Sequence, residues 1–261
     1  MSGALTFRLI GQGIAYSASP AMMAAAFEAL GLPHRYVLAD VAADEVPATV
    51  EALRVPAAGG ANVTVPHKAA VASLVDEVSE VAREADAVNT VVREGQRLVG
   101  HNTDVPATVE ALERLCPDGI SHALLLGAGG VSRAVQLALR QVGAGRISVL
   151  RRSDGSMSGL GEEAAAADLL VNATPIGTGA DETLVPAELL RPDLSVLDLV
   201  YRPNPTRLVR EALAAGARAE AGAAILLGQA WRSLELWLGV PAPVEVMRVA
   251  LEAELGGRSG A

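Results

Sequence analysis

The sequence predicts an α/β fold with two domains. Short apolar runs alternate with helix-start signals along most of the 261 residues, a rhythm typical of parallel strands connected by helices. Apolar residues make up 51% of the chain and aromatic residues only 3%, a composition that suits helices packed closely on a sheet. The break Cys116-Pro117-Asp118-Gly119 indicates a joint between two such regions.

The first hundred residues alternate between the two kinds of element. Strands are expected at Thr6–Ile10, His34–Ala39 and Gly60–Val63, and helices at Met22–Leu30, Glu45–Leu53 and Pro66–Val75. The first of these helices begins with Ser19-Pro20 and is closed by Gly31, since a hydroxyl residue before proline starts a helix and glycine ends one. Glu94-Gly95 is a turn signal that predicts a hairpin of Ala87–Val92 with Arg97–Gly100.

The remaining chain continues the pattern and then changes it. A helix is expected at Val105–Leu115, followed by strands at Ala123–Leu126, Ile147–Leu150, Leu169–Asn172 and Val196–Leu199. Ala223 to Leu255 reads as two helices separated by Gly239–Pro243, without strands of their own. We therefore expect these helices to return and cover the first domain, with a frayed tail at residues 256–261.

Composition limits the classes of partner. The net charge of −9 argues against nucleic acid, because phosphate binding requires a basic face. No apolar window is long enough to span a membrane, and the first residues lack the pattern of a signal peptide. Cys116 is the only cysteine, which favours a reducing cytoplasm and a role as a small buried helix residue. The four histidines have no metal-ligand spacing, so no metal site is expected.

Lys68 is the only lysine among 21 basic residues. Arginine stays protonated in proteins, whereas a lysine amine can lose and regain a proton, so a chain that keeps a single lysine suggests a titratable amine with a task. Lys68 is expected in the first turn of a helix, where the dipole favours the neutral amine. Asp104 precedes the helix Val105–Leu115, where it can cap the helix and also orient the amine.

A glycine-rich turn indicates a dinucleotide site. Gly127-Ala128-Gly129-Gly130 follows a strand and opens a helix, so the backbone can approach a pyrophosphate and the helix N-terminus can bind it. The next strand ends in Arg151-Arg152-Ser153 rather than in an acidic residue. Guanidinium groups suit a 2′-phosphate, and NADP is therefore favoured over NAD.

Taken together, the motifs resemble those of the shikimate dehydrogenase family. They occur in one order along nearly the whole chain: Ser17-x-Ser19-Pro20, Asn62-Val63-Thr64-x-Pro66-x-Lys68, Ala87-Val88-Asn89-Thr90, Asn102-Thr103-Asp104, Gly127-Ala128-Gly129-Gly130, Asn172-Ala173-Thr174-Pro175, Asp198-x-x-Tyr201 and Gln229. The resemblance implies reversible reduction of 3-dehydroshikimate to shikimate with NADPH, a step of the pathway to chorismate and the aromatic amino acids. It also implies an enzyme that acts on a small molecule, as a monomer or a homodimer.

The resemblance implies a domain and a role for each motif. An N-terminal α/β substrate-binding domain would comprise residues 1–104 and 223–261, and a Rossmann-like NADP-binding domain residues 105–222. Lys68 would move the proton at the reacting oxygen, with Asp104 orienting it. The substrate would contact Ser17, Ser19, Thr64, Asn89, Asp104, Tyr201 and Gln229. The cofactor would contact Glu80, Gly127, Ala128, Gly129, Gly130, Val131, Arg151, Arg152, Ser153, Thr174, Leu199 and Gly222.

The chain departs from the family pattern at several points. His101 and Val105 flank Asn102-Thr103-Asp104 where the family often has Asp and Gly, and Ser132 replaces the third glycine of the dinucleotide fingerprint. Only the fifteen residues of Ser153–Ala167 separate the arginine motif from Asp168. This stretch is too short for a crossover helix and a further strand, so the adenine side of the cofactor domain is expected to be shortened.

Two rival functions remain open at this point. A quinate/shikimate dehydrogenase, or a related enzyme of broader substrate range, would use the same motifs, because quinate differs by a hydroxyl beside the carboxylate. A non-catalytic dinucleotide-binding regulator would keep the fold without the chemistry. The presence of both Lys68 and Asp104 argues against the regulator, since a sensor has no use for a proton shuttle.

Overall fold

The computed structural model describes residues 3–257, which form two compact units. The first unit comprises residues 3–105 and 227–257, and the second comprises residues 106–226. Most of the tail expected to fray, residues 256–261, lies outside the described residues. None of the helices in residues 3–257 is long and apolar enough to cross a membrane.

The first unit is built on a six-stranded mixed sheet. Its strands are β1 (Thr6–Gly11), β2 (Arg35–Asp40), β3 (Ala58–Val63), β4 (Glu77–Val78), β5 (Thr90–Glu94) and β6 (Arg97–His101), in the order β2-β1-β3-β5-β6-β4. β1 is parallel to both of its neighbours, whereas β5 is antiparallel to β3 and β6. The hairpin expected around Glu94-Gly95 is confirmed, and Gly95 has the positive φ that its turn requires.

The helices of the first unit are α1 (Ser19–Ala29), α2 (Val46–Glu51), α3 (Lys68–Ala72), α4 (Glu80–Glu84) and, late in the chain, α10 (Val244–Gly257). Two further helices are shared between the units: α5 (Asp104–Leu115) begins in the first unit, and α9 (Ala223–Leu238) ends in it. α10 packs against α1, and the ring of Trp237 on α9 lies 4.8 Å from that of Phe7 on β1. The expected return of the C-terminal helices to the first domain is thus confirmed. Burial of large apolar rings holds them there.

The second unit is a five-stranded sheet in which every pairing is parallel. Its strands are β7 (His122–Leu126), β8 (Arg146–Leu150), β9 (Leu169–Asn172), β10 (Ser195–Asp198) and β11 (Arg218–Ala221), in the order β11-β10-β9-β7-β8. The helices are α6 (Gly130–Gln141), α7 (Leu160–Ala166) and α8 (Arg207–Ala214). The chain leaves β7 for β8 on one side and returns to β9 on the other, and ligands of open α/β sheets bind at such a switch point.

The connection between β8 and β9 is short, which confirms the shortened cofactor domain expected from the sequence. Between β8 and β9 the chain forms one 3-10 turn, Ser156–Gly159, and the seven-residue α7. Within residues 3–257, β8 is therefore an edge strand of its sheet.

Several expected elements differ in the structure. The helix expected at Pro66–Val75 is the five-residue α3, and Pro66 lies before it, although Lys68 is still its first residue. Cys116 follows α5 and is partly exposed instead of buried in the helix, because the residue before a proline is pushed out of the helical conformation. The N-cap of α1 is Ala18, so Ser19 is the first helical residue and not the cap.

Candidate active site

Lys68 and Asp104 form an ion pair. Lys68 begins α3 and Asp104 begins α5, and the Nζ of the lysine donates to Oδ2 of the aspartate at 2.6 Å. The two side chains are only 12% and 14% exposed. A charge-assisted bond of this length fixes the amine at the end of a flexible side chain and gives it one direction.

The structure corrects the capping role expected for Asp104. Asn102 supplies the bond, since its Oδ1 accepts from the backbone N–H of Val105 at 3.1 Å. The same side chain donates to the carbonyl of Ala87 at 2.9 Å, which fixes the amide orientation. Because Asn102 makes the capping bond of α5, the Asp104 carboxylate does not make it and instead bonds Lys68.

Asn89 holds the segment that leads into Asp104. Its Nδ2 donates to Oγ1 of Thr103 at 2.9 Å, and its Oδ1 accepts from the Thr103 N–H at 2.8 Å. Its backbone carbonyl accepts from the N–H of Val63 at the end of β3. Asn89 is buried, so these bonds form where solvent cannot replace them. The Asn89 side chain thus fixes Thr103, the residue that immediately precedes Asp104 of the ion pair.

Ser17 lies in the turn after β1, and Ser19 follows as the first residue of α1. Ser17 accepts a hydrogen bond from the N–H of Ser19 at 3.2 Å, and Ser19 is buried. The carboxylate of Asp40 anchors the turn by accepting from the N–H groups of Gly13 and Ile14 at 2.8 and 3.2 Å. This anchoring fixes the start of the turn that carries Ser17 and leads into Ser19.

Thr64 and Gln229 belong to the same unit. Thr64 follows β3 directly, and its N–H donates to the carbonyl of Ile10 at the end of β1. The parallel pairing of β1 and β3 therefore brings Thr64 to the sheet edge from which the serine turn departs. Gln229 lies on α9, and its carbonyl accepts from the hydroxyl of Ser233, one turn later.

Two of the expected site residues, Glu80 and Tyr201, differ from the others in exposure or in the unit that carries them. Glu80 is exposed at the first position of α4, behind the cap of Ser79. Tyr201 belongs to the second unit, three residues after β10, and is partly buried there. All other residues expected to contact substrate lie in the first unit.

In the second unit, the expected cofactor residues line one edge of the sheet. The residues that directly follow the five parallel strands, in sheet order, are Gly222 after β11, Leu199 after β10, Ala173 and Thr174 after β9, Gly127 after β7 and Arg151 after β8. The carboxyl ends of parallel strands meet at a single edge, which in open α/β sheets is the ligand-binding edge. The structure thus brings these motifs into one continuous row.

The glycine loop has two kinds of glycine. Gly127 has a φ of 102°, and a Cβ there would lie 3.0 Å from the carbonyl oxygen of Ala173, so the local fold requires glycine. A Cβ on Gly129 or Gly130 would meet no atom within 4 Å. Packing within the described residues therefore does not require glycine at these two positions.

The N-terminus of α6, which follows this loop, has no side-chain cap. Gly129 is the N-cap of α6 and offers no side chain to the first N–H groups, and Ala128, Gly129 and Gly130 are exposed. Uncapped N–H groups and the positive end of a twelve-residue helix dipole form an anion site. The residues present therefore fit a dinucleotide pyrophosphate.

Arg151, Arg152 and Ser153 are exposed at the end of β8, and the structure changes one expectation about them. An acidic residue is present in the same turn: Asp154 Oδ2 lies 3.9 Å from Nε of Arg151. The pKa of Asp154 is lowered, chiefly by hydrogen bonds from Ser156, so the carboxylate stays charged. Arg151 thus has a partner in its own turn, whereas Arg152 has no ion-pair partner among the described residues.

Reasoning from the sequence missed the organising role of Asp198. This buried carboxylate accepts from Asn172 Nδ2 at 2.8 Å, from the Val200 N–H at 3.1 Å and from Thr206 Oγ1 at 2.7 Å. Burial raises its pKa. The oxygen of Asn172 in turn accepts from Thr174, so one carboxylate fixes the ends of β9 and β10. An acidic residue at the end of an apolar strand is the signal that could have identified it.

Metal binding has no support in the described residues, since residues 3–257 contain no group of three or more His, Cys, Asp or Glu side chains placed to hold an ion.

Comparison with known proteins gives consistent matches. Residues 9–91 match the model of the shikimate dehydrogenase substrate binding domain, and residues 222–252 match that of the shikimate 5′-dehydrogenase C-terminal domain. The shikimate dehydrogenase (NADP(+)) of Pyrococcus abyssi is 37% identical over 94% of this chain and 97% of its own.

Solved structures are similar over the same length. Shikimate 5-dehydrogenase from Thermus thermophilus, in complex with NADP(H) and shikimate, has 38% identity and a TM-score of 0.87, covering 96% of this chain and all of its own. Quinate dehydrogenase from Corynebacterium glutamicum, in complex with NAD, has 31% identity and a TM-score of 0.86, covering 96% of this chain and 99% of its own. The chain belongs to the shikimate dehydrogenase family.

Proposed function

We propose that this protein is an NADP-dependent shikimate dehydrogenase, which reversibly reduces 3-dehydroshikimate to shikimate in the pathway to the aromatic amino acids. The observation that carries the proposal is the largely buried Lys68–Asp104 pair, 2.6 Å apart, in the unit that matches the family's substrate binding domain. The relatives at 37% identity and above carry the same activity in their names.

Substrate binding is assigned to the first unit. The hydroxyls of Ser17 and Ser19 suit the substrate carboxylate, because the two residues are close in the chain and a hydrogen bond joins the Ser19 N–H to Ser17 Oγ. Thr64, Asn89 and Gln229 offer hydroxyl and amide groups to the ring hydroxyls of the substrate. Tyr201, a residue of the second unit, is proposed to contact the carboxylate of the substrate. A polyhydroxylated acid requires such an inventory of neutral hydrogen-bonding groups.

Lys68 is proposed to move the proton. As the substrate hydroxyl becomes a carbonyl, its oxygen must lose a proton, and the amine of Lys68 takes it up; in the reverse direction the ammonium returns it. Asp104 orients the amine through its hydrogen bond. An arginine at this position would keep its charge but would not exchange the proton.

The second unit is proposed to hold the nucleotide, which supplies the hydride donor or acceptor. Residues 127–131 and the open start of α6 would bind the pyrophosphate. Arg151, Arg152 and Ser153 would bind the 2′-phosphate, whereas Thr174, Leu199 and Gly222 would line the sheet edge. Glu80, in the first unit, is proposed to border the nicotinamide end.

A broader quinate/shikimate dehydrogenase is the second candidate function. The quinate dehydrogenase of Corynebacterium glutamicum is similar over 96% of this chain, so the fold accommodates both substrates. The non-catalytic regulator is less well supported, because Lys68 and Asp104 are both present and paired, and a regulator has no use for a proton shuttle. We also propose that the protein is located in the cytoplasm, since a single cysteine fits a reducing compartment.

The direct test is NADP+ reduction by the purified protein with shikimate and with quinate side by side. Robust turnover of shikimate with little turnover of quinate supports the first proposal, and similar turnover of both supports the second. Cofactor binding without turnover of either substrate contradicts both and favours the regulator.

A further inference from the structure

Ser233 is the centre of a buried hydrogen-bond network in the first unit. It lies on α9 and is fully buried. Its Oγ accepts from Asn62 Nδ2 at 2.9 Å and lies 2.8 Å from Thr90 Oγ1 and 3.2 Å from Thr103 Oγ1. It donates to the backbone carbonyl of Gln229 at 2.8 Å. One hydroxyl thus joins a helix to two central strands and to the segment before α5.

The direction of the hydrogen bonds through this hydroxyl is fixed. Tyr36 donates its O–H to Oδ1 of Asn62 at 2.8 Å, which leaves the Asn62 nitrogen facing Ser233. An amide nitrogen only donates and a carbonyl only accepts, so Ser233 must accept from Asn62 and donate to Gln229. Burial raises the pKa of Tyr36, and its phenol therefore keeps the proton that starts the chain.

The network reaches several residues of the proposed substrate site. Ser233 bonds the backbone of Gln229 directly. Thr103, which Ser233 contacts, is also bonded twice by the Asn89 side chain and immediately precedes Asp104. Gln229, Asn89 and Asp104 come from α9, from the residue before β5 and from the start of α5. Ser233 is the member of this hydroxyl cluster that also bonds the backbone of Gln229.

We propose that Ser233 is a positioning residue for the substrate site, which sets Gln229, Asn89 and Asp104 relative to one another without touching the substrate. This inference rests on the proposed function. Packing alone does not account for a serine here. Three polar side chains converge on its hydroxyl, and an apolar residue would remove one buried hydrogen-bond partner from each of them.

Ser233→Ala tests the proposal. The KM for shikimate is expected to rise about tenfold, the worth of one or two buried hydrogen bonds, while the KM for NADP+ stays within about twofold. The matched control is Ser195→Ala, which removes another buried hydroxyl, at the start of β10 in the second unit. This control is expected to leave both KM values unchanged.

A second pair of variants separates the hydroxyl from the packing. Thr90→Val keeps the shape of a fully buried side chain but loses the bond to Ser233 and the other bonds of this hydroxyl within the network, whereas Thr90→Ser keeps them. Thr90→Val is expected to raise the KM for shikimate several-fold, and Thr90→Ser to leave it near the wild-type value. This pair gives the answer if Ser233→Ala does not fold.

Each contrary result has a distinct meaning. A purely structural role would reduce the active fraction, so kcat would fall in Ser233→Ala with both KM values unchanged, and that outcome overturns the inference alone. Equal behaviour of Thr90→Val and Thr90→Ser also overturns it. A wild-type protein without shikimate or quinate activity overturns the proposed function, and the inference with it.

Discussion

The two units differ in how their polar groups are used. In the first unit, most of the proposed site residues already have protein partners: Asn89 is bonded to Thr103, and Lys68 is paired with Asp104. In the second unit, Gly129, Gly130 and Arg152 are exposed. The first region thus orients a few side chains in a buried setting, whereas the second offers backbone and charge to solvent.

This contrast matches two different tasks. Proton transfer depends on an amine held within hydrogen-bond reach of one oxygen, so it requires side chains whose own partners are fixed. A pyrophosphate is bound through open N–H groups and charge, which must be free until the ligand arrives. Variants in the first unit should therefore affect the chemical step or substrate KM, and variants in the second should affect the nucleotide.

The largest effect is expected at Lys68. Lys68→Ala should lower kcat at least about a hundredfold, the usual contribution of a positioned proton donor, with little change in substrate KM. Steady-state kinetics of the folded variant at saturating NADP+ measure this. A loss that appeared in KM with kcat preserved would make Lys68 a binding residue instead.

The next effect concerns the choice of nucleotide. Replacing both Arg151 and Arg152 with Ala should remove most of the preference for NADP+ over NAD+, by about ten- to a hundredfold in kcat/KM, because charge-assisted bonds to phosphate are lost. NAD+ turnover should remain nearly unchanged. The control is Arg140→Ala, an exposed arginine in the last turn of α6, which should keep the preference. A double variant that still prefers NADP+ would show that the phosphate is held elsewhere.

Ser17→Ala should have a smaller effect, confined to substrate binding. The KM for shikimate is expected to rise about tenfold, since a bond to a charged carboxylate is lost equally from the ground state and the transition state. The kcat should stay close to the wild-type value. Steady-state kinetics check this by comparing the fold-change in KM with the fold-change in kcat. An unchanged KM in the double variant with Ser19→Ala would exclude this loop as the carboxylate site.

The smallest effect on the fold is expected at Gly129. Gly129→Ala adds a methyl group where no atom lies within 4 Å, so the melting temperature should stay within about a degree while the KM for NADP+ rises several-fold. Gly222→Ala is the contrast, because its Cβ would lie 2.2 Å from the carbonyl oxygen of Leu199 and the backbone would have to shift. We expect about 1–3 kcal/mol of destabilisation there. Equal stability losses in the two variants would contradict this distinction.

Much of the fold could be predicted from local patterns. Apolar strands such as Leu169–Asn172 were identified with their observed bounds, because both faces of a parallel strand are buried and the run is continuous. The sequence pattern does not predict β11, because Arg218–Ala221 is a short edge strand without β-branched residues. α8 was missed although Thr206 caps it, since two prolines precede it closely and suggest a loop.

The site could be predicted as a set of residues but not as a geometry. The motif order pointed to Lys68 and Asp104, yet the cap of α5 was assigned to Asp104 because Asn102 and Asp104 are both good capping residues in sequence. Only the fold shows that Asn102 is the residue that bonds the helix start. Ser233 carries no sequence signal, because its role depends on contacts with residues 130 or more positions away.

The central claim is that Lys68 acts by exchanging a proton and not by its charge. The most direct measurement is the kcat of Lys68→Arg compared with that of Lys68→Ala, at saturating shikimate and NADP+. Arginine keeps a positive charge beside Asp104 but does not release its proton, so the account predicts that Lys68→Arg is nearly as inactive as Lys68→Ala. A Lys68→Arg enzyme with kcat close to the wild-type value would contradict it.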